Sequence, residues 1–415
     1  MKVIFFAAIL WLSTACGARA EVPGLPLDAE VQKSLDNYPG VIAAQARIGS
    51  ARAQADMLRA GPNEFMLSGT HSRRTIERGG TYNEMDATLS RTLRLPGKAS
   101  LDRKAGALGV EVASNRSEDV RHRAALLLGQ LWYDWLQAGE HYRNDARTLE
   151  LQASALSAIQ KRVNVRDAAL LEADQARAAQ AAGQALLADS QAKLEAARVT
   201  LAATFPDITL AAQPPALPTP SSFTFDLRAL SALVIGRSHE IRAADREAQR
   251  LSALASRAQQ DRIPDPTVGM RFFRERGGVE SGVGVFVSIP LGWEHRRASA
   301  ERASAEARAA GFDTAEVRRQ ITAMADSDAT EVETRLAAWQ SMSASVQSAQ
   351  AAETRAQRGY QLGGIDLADL LFTQRQANEA RRAEINARVD ASRAVTKLLI
   401  DSHTIWAEGQ EAEPE

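Results

Sequence analysis

The sequence predicts a mainly α-helical chain with a small β part, built from two similar halves of long helical hairpins. Long Ala-, Leu- and Val-rich runs flanked by Arg and Glu are typical of coiled-coil helices. A short alternating strand precedes each of these runs and ends at a proline, Pro96 in one half and Pro290 in the other. A proline-rich segment, PPALPTP at 214–220, separates the halves, because it cannot lie inside a helix.

The composition favours close-packed helices with thin apolar seams. Hydrophobic residues make up 45% of the 415 residues, but aromatic residues make up only 5%, and much of the apolar content is alanine. A conventional globular core of this size uses more large side chains. The 50 Lys and Arg residues are interleaved with 51 Asp and Glu residues, so no basic field indicates nucleic-acid binding.

The N-terminus predicts export. Lys2 precedes an apolar core at 3–12 that is too short to span a bilayer. Ala-Arg-Ala at 18–20 fits the small-x-small cleavage rule, so residues 1–20 are expected to be a signal peptide. Cys16, the only cysteine, is an alternative lipidation site, although Ser13 stands where such signals usually have Leu. No later segment approaches about 18 uninterrupted apolar residues, so no transmembrane helix is expected.

Each half repeats one series of elements: a helical run, two short strands around a glycine-rich turn, and a long helical run that turns once and returns. The first half has a helix at 28–59, strands at 64–72 and 85–93, and long helices at 96–163 and 169–205. The second has a helix at 226–260, strands at 266–273 and 282–289, and a helix-to-helix turn near 359–366. A repeat this long indicates a duplication and not a solenoid.

These boundaries predict the domain organisation. A first structural repeat at 21–213 is followed by a Pro-rich linker at 214–225, a second repeat at 226–406 and a disordered tail at 407–415. The longest helices would reach roughly 100 Å at 1.5 Å per residue. From the helices alone, a long soluble bundle is an equal alternative.

The strands favour a membrane location over that bundle. In the segment 84–95 the odd positions, such as Met85 and Leu89, are mostly apolar, whereas every even position is polar. Each strand has about the 9–11 residues that cross a bilayer at a tilt, and this alternation is typical of a water-filled barrel. A soluble sheet with one wet face is the alternative. Four strands cannot close a barrel, which needs at least about eight, so a membrane location requires oligomerisation.

The chain resembles the TolC-like outer-membrane efflux factors over about residues 28–406. The segments with the clearest resemblance are TLRLPGKASLDRKAG (92–106), GVFVSIPLGWEHRRASAERA (284–303) and RGYQLGGIDLADLLFTQRQANEA (358–380). The resemblance implies a homotrimer whose copies share one 12-stranded outer-membrane β-barrel, continued by an α-barrel across the periplasm. It also implies three partners: a periplasmic adaptor, an inner-membrane proton-driven pump of the resistance–nodulation–division class, and outer-membrane lipid.

Within that family, RIPDPTVGMRFFRERGG (262–278) followed by VGVFVSIPLG looks most like the CzcC-type heavy-metal subgroup. This resemblance implies a passive duct for divalent cations such as Co, Ni, Zn or Cd. The same duct for drugs or secreted peptides stays open, because a wide tube selects little. A periplasmic adaptor or scaffold is the rival class, but two hairpins that each follow a pair of strands disfavour it.

Candidate functional residues lie at the second helix-to-helix turn. Gly363 and Gly364, after Gly359, allow the backbone to reverse. Asp366 can cap the returning helix or line the channel entrance. By resemblance, Asp369 matches the position of an acidic ring at the periplasmic entrance, where carboxylates favour cations.

The first turn carries the matching candidates. By resemblance, Arg162 and Tyr360 match positions near which the family holds its closed tip together. Arg166 stands where the family usually has glycine, and Asn164 can adopt a left-handed conformation.

The strand-to-helix junctions are the remaining candidates: Pro96 with Gly97, and Pro290 with Gly292. Proline ends strand pairing and suits the first turn of a helix, so the prolines are expected to mark where strand becomes helix.

No catalytic or cofactor chemistry is predicted. None of the six histidines is three or four residues from another, and no cysteine cluster accompanies them, so no metal site is expected. The histidines are His71, His122, His141, His239, His295 and His403. There is no Gly-rich phosphate loop with Lys and Ser or Thr, and no nucleophile–base pairing. We therefore expect neither an enzyme nor a cofactor.

Overall fold

The computed structural model of the chain describes residues 24–220 and 226–407, and it contains two successive series of six elements. The first is α1 (Asp28–Asp36), α2 (Pro39–Ala60), β1 (Phe65–Ile76), β2 (Gly80–Thr92), α3 (Lys98–Asn164) and α4 (Leu170–Thr204). The second is α5 (Leu227–Arg237), α6 (His239–Gln260), β3 (Thr267–Glu275), β4 (Glu280–Ser288), α7 (Glu294–Gln361) and α8 (Leu367–Asp401). The expected signal peptide, Cys16, part of the linker and nearly all of the tail lie outside the described residues.

The structure refines two details of the predicted elements. The helical runs expected at 28–59 and 226–260 are present, but each is divided into two helices, because Pro39 starts α2 and Ser238 caps the N-terminus of α6 with its hydroxyl. The first hairpin is longer than expected. Polar pairs extend it into the turn: the Thr75 and Thr81 hydroxyls lie 3.0 Å apart, and all residues from Phe65 to Ile76 are paired.

Two very long helices dominate the structure. With 67 and 68 residues, α3 and α7 each extend about 100 Å, and α4 and α8, with 35 residues each, return along one part of them. The short helices pack along the other part, so α2, α3, α6 and α7 lie side by side in that order. Among the described helices, none has both the length and the apolarity that crossing a bilayer requires.

The main core lies midway along the long helices. Trp135, Leu136 and Leu399 are buried there, beneath the chain that follows α4 and α8. Phe205 at the end of α4 stacks on Tyr38 with ring centroids 5.4 Å apart. Helix seams elsewhere are thin and rich in alanine, which agrees with the composition.

The four strands form one antiparallel sheet in the order β1-β2-β3-β4. Its register aligns apolar residues across all four strands, for example Leu67, Leu89, Met270 and Val285. These four side chains are 42–82% exposed, whereas Asp86, Thr88 and Ser90 on the opposite face of β2 are half-buried. A sheet in water buries its apolar face, so this sheet has the reverse arrangement.

The enclosed face of the sheet is the half-buried one that carries Asp86, Thr88 and Ser90. It is closely packed in spite of its glycines. The ring of Phe286 lies over Gly269, and the ring of Phe273 lies over Gly282 on the neighbouring strand. A Cβ at either glycine would lie within 2.7 Å of ring atoms, so larger residues would displace the aromatic side chains. Strands β1 and β4 each have one edge without a partner strand in the part of the chain that the structure describes.

Candidate functional site

The two helix-to-helix turns have the same backbone geometry. Arg166 and Gly363 occupy matching positions with φ of 61° and 72°. The amide of Asp167 donates to the carbonyl of Arg162, and that of Gly364 to Gly359, each at 2.8 Å. This is the six-residue closure that commonly ends a helix with a left-handed residue.

The left-handed residue of the first turn is Arg166 and not Asn164, although asparagine can adopt this conformation. Asn164 is instead the last residue of α3. A left-handed conformation costs a non-glycine residue roughly 1–2 kcal/mol, and the closing hydrogen bonds offset that cost. In the second turn only Gly363 needs glycine for its backbone angles, because neither Gly359 nor Gly364 has a positive φ.

A side-chain link joins the two turns. The Arg162 guanidinium donates to the Tyr360 hydroxyl at 3.0 Å, and that hydroxyl donates to Glu172 at 2.8 Å. Arg162 also donates to the Asp167 carboxylate at 2.9 Å, which fixes it within its own turn. Burial and the Glu172 carboxylate raise the pKa of Tyr360, so the phenol stays protonated and able to donate. The link therefore connects α3 and α4 to α7 within one chain.

The two aspartates of the second turn occupy different positions. Asp366 accepts a 2.8 Å hydrogen bond from the amide of Asp369 and thus caps α8. The Asp369 side chain is exposed on the first turn of α8, whereas Leu367 and Leu370 on either side are buried. Both aspartates are exposed, and Asp369 is the one whose side chain has no capping role.

The strand-to-helix junctions differ from the prediction in one respect. Gly97, with φ of 89°, is the N-cap of α3, and Pro96 precedes it. Pro290 lies four residues before α7, and Gly292 has φ of 135°. Neither proline is in the first helical turn, because a glycine-containing bend redirects the chain between each strand and its helix.

Charged side chains fasten the first junction to the second half of the chain. Asp102 on α3 accepts from Arg94 and from Arg257 on α6, each at 2.9 Å. Lys98 is 2% exposed and donates to Asp265 at 2.8 Å, while Asp265 also accepts from the amide of Leu95. The second junction is open: Leu291 and Trp293 are largely exposed.

The structure brings together three histidines that sequence spacing separates. His122 on α3, His239 at the start of α6 and His403 after α8 form a stack with centroid distances of 5.2 and 4.8 Å. His122 pairs with Asp401 at 2.9 Å, and Arg242 donates to His239 at 3.1 Å. No short-range motif could reveal this cluster, because its members come from three elements.

The cluster is arranged as a stack and not as a metal centre. Within the described ranges, no group of three or more His, Cys, Asp or Glu residues is placed to hold a metal ion. Burial, reinforced by the neighbouring imidazoles, lowers the pKa of His239 to about 3 and that of His403 to about 4. Both rings are therefore neutral at neutral pH. Burial and Glu240 raise the pKa of the nearby Asp119 to about 6.

Solved structures with the same fold are outer-membrane channels. OprN matches with a TM-score of 0.76 at 21% identity, over 92% of this chain and 90% of its own. VceC of Vibrio cholerae matches at 0.73 and 18%, over 90% and 95%. The open state of MtrE from Neisseria gonorrhoeae matches at 0.66 and 15%, over 90% and 88%. These matches confirm the predicted fold class. No protein-family model and no curated protein matches the sequence.

Replacing Lys98 with Met should destabilise the protein by about 3 kcal/mol, because the Asp265 carboxylate loses its buried cation. Chemical unfolding of the detergent-solubilised protein measures the change. Lys193→Met is the control, because Lys193 and Asp189 form an exposed pair worth less than about 1 kcal/mol. Equal losses in the two variants would contradict the role of Lys98.

Acidification should destabilise the protein through the histidine stack. The folded-state pKa values of His239 and His403 lie below the ordinary value of 6.5, so their contribution is complete above pH 6.5 and is lost as pH falls toward 4. The raised pKa of Asp119 acts in the opposite direction. Combining His239→Gln with His403→Asn should therefore reduce the fall in Tm between pH 7 and pH 5 by on the order of a few degrees.

Thermal unfolding in detergent at both pH values provides the measurement. His295→Gln is the matched control, since His295 is exposed on α7 and outside the stack. If the double variant keeps the wild-type pH dependence, the stack is not its source.

Proposed function

We propose that the chain is the outer-membrane channel of a tripartite efflux system, a passive duct and not an enzyme. The observation that carries this proposal is the sheet, whose apolar face is exposed and whose two edges are open. Such a sheet suits hydrocarbon, provided that further strands pair with its edges. The fold shared with outer-membrane channels adds independent support.

The assembly that satisfies the open edges is a homotrimer. The β4 edge of one copy would pair with the β1 edge of the next, giving twelve strands in a closed barrel. The helices support the same arrangement, because α2 and α7 lie at the two ends of the row α2-α3-α6-α7. The long hairpins would then cross the periplasm and meet an adaptor and an inner-membrane pump at their tips.

Divalent heavy-metal cations are the cargo that we propose. The CzcC-like segment 262–278 supports this choice, and in the structure it contains β3 and the turn of the second hairpin. The exposed carboxylate of Asp369 at the helix tip would appear three times in a trimer, and a ring of carboxylates favours cations.

The first test is location and assembly. The protein should fractionate with outer membranes and migrate as a trimer in mild detergent, because the open strand edges need partner strands. Cysteines placed in β4 and β1 should crosslink between copies, whereas the same placement in β2 should not. A soluble periplasmic monomer would contradict the proposed function.

Cells that lack the protein should become sensitive to Co, Ni, Zn or Cd more than to hydrophobic drugs. Growth in graded concentrations of each compound measures the order. Complementation with the wild-type gene is the control. Greater sensitivity to drugs would retain the duct but refute the metal cargo.

The link between the turns should help to keep the channel closed. Combining Tyr360→Phe with Arg162→Ser removes hydrogen bonds worth on the order of 1 kcal/mol each, and threefold repetition multiplies the effect. We expect a higher single-channel conductance in planar bilayers. Arg177→Ser is the control, because Arg177 pairs only with Asp174 on the same helix among the contacts described. Unchanged conductance in the double variant would place the closing contacts elsewhere.

Asp369→Asn is expected to act differently in the same bilayers. It should weaken block by divalent cations and leave the closed-state conductance little changed, because it removes charge and breaks no link between the turns. Intact cation block would identify Asp369 as a surface carboxylate away from the entrance.

A further inference from the structure

The arginines of the described strands differ between the two faces of the sheet in whether they pair with carboxylates. On the enclosed face, Arg74 near the end of the sheet farthest from the helices pairs with Glu84 at 2.9 Å, and Arg271 in the middle of β3 pairs with Asp86. Each of these guanidinium groups is therefore neutralised inside the sheet.

The exposed face has basic residues at the same end but no acidic ones. His71 and Arg274 both lie opposite Met85 in the register, and Arg73 lies opposite Asn83, one step farther from the helices. All three basic side chains are exposed. Every residue of the described strands that shares this face is apolar, small, hydroxylic, amide or basic, so the face offers no carboxylate to these arginines.

The other arginine on the exposed face has protein partners. Arg91 lies 4.7 Å above the ring of Phe65 and donates to the carbonyl of Asn63 at 3.1 Å, in the half of the sheet nearest the helices. Between Arg91 and the row of Met85, the exposed residues are apolar. The apolar band from Met85 to Leu95 would be about 25 Å tall at a typical barrel tilt, which is the thickness of a membrane-facing belt. Arg91 lies within the half of this band nearest the helices, where it contacts Phe65 and Asn63. The rows of His71, Arg274 and Arg73 would lie at the outer end of the band, where lipid headgroups begin.

The side chain of Arg274 extends away from the apolar band. Its guanidinium lies so close to Gly278, in the turn between β3 and β4, that a Cβ there would be 2.4 Å from its nearest atom. Gly278 has φ of 102°, which also favours glycine at this position. The turn therefore holds the guanidinium beyond the last apolar row, where Arg73 also emerges.

We propose that Arg73 and Arg274 bind phosphate groups of lipid headgroups in the outer leaflet, an inference that rests on the proposed membrane location. The two residues are two strands apart, or about 10 Å across the sheet, a span that two arginine side chains can cover. Arginine binds phosphate oxygens through paired N–H groups, and the bond strengthens near a low-dielectric surface. His71, in the same row as Arg274, would lie beside the same headgroups.

The test uses the full-length trimer in nanodiscs and lipid A carrying two phosphates as the probe. The trimer is first delipidated and then titrated with lipid A. Native mass spectrometry counts the lipid A molecules that are bound. Combining Arg73→Gln with Arg274→Gln should weaken binding at least about tenfold, as expected for the loss of two charge-assisted contacts. Arg74→Gln is the matched control, because it removes a neighbouring arginine from the opposite face.

Two further measurements separate binding of the headgroup phosphates from binding of the acyl chains or of free phosphate. Dephosphorylated lipid A should bind weakly and equally to wild type and to the double variant. Millimolar inorganic phosphate should not displace lipid A from wild type. Equal binding of both lipids, full displacement by phosphate, or loss of the trimer in the double variant before lipid A is added would each overturn the proposal. Bilayer insertion of the same protein preparations is measured by conductance. A wild type that does not insert refutes the proposed function. Normal insertion without a difference in binding between lipid A and dephosphorylated lipid A refutes only the lipid site.

Discussion

The pairing of β2 with β3 is the interaction on which the rest of the structure depends, because it joins the two halves of the chain into one sheet. Eight residue pairs connect these strands, from Met85 with Arg274 to Thr92 with Thr267. Below the sheet, α3 packs on α6 with Asp102 and Arg257 between them. In a duplicated chain, the second half presents the same type of strand edge and helix face as the first. The contact made once within the chain can therefore be repeated between copies.

The two strand-to-helix junctions differ in whether the chain itself covers them. At the first junction, the ion pairs of Lys98 and Asp102 close the space between the halves. At the second, Leu291 and Trp293 face solvent. Exposed side chains of this size are costly in water, and a neighbouring copy in the proposed trimer would cover them. The exposed second junction of one chain is thus consistent with a trimer in which each second junction contacts the next copy.

Patterns that repeat along the chain predict the helices and strands of each half, whereas the twelve-stranded trimeric barrel is implied only by the resemblance to the TolC-like family. Alternation located the strands, and proline and glycine located the breaks, because these signals act over a few neighbouring residues. Features that depend on distant contacts were missed. The histidine stack joins residues from three elements, and the ion pairs of Lys98 join two halves of the chain. Arg166 adopts a left-handed conformation that residue preference assigns to Asn164, because the closing hydrogen bonds of the turn decide the position.

Local stability favours the helix tips as the place where the proposed channel opens. Among the described residues, the main core contains 30 buried apolar side chains, whereas the tip cluster contains six, among them Leu156, Ile159 and Leu370. A region with so few buried side chains can rearrange without disturbing the core, because its local free energy of opening is small. The link from Arg162 through Tyr360 to Glu172 lies at the edge of this small cluster. A few hydrogen bonds therefore make up a large fraction of what holds the tips together, and a partner that docks there needs to supply only a comparable free energy to separate them.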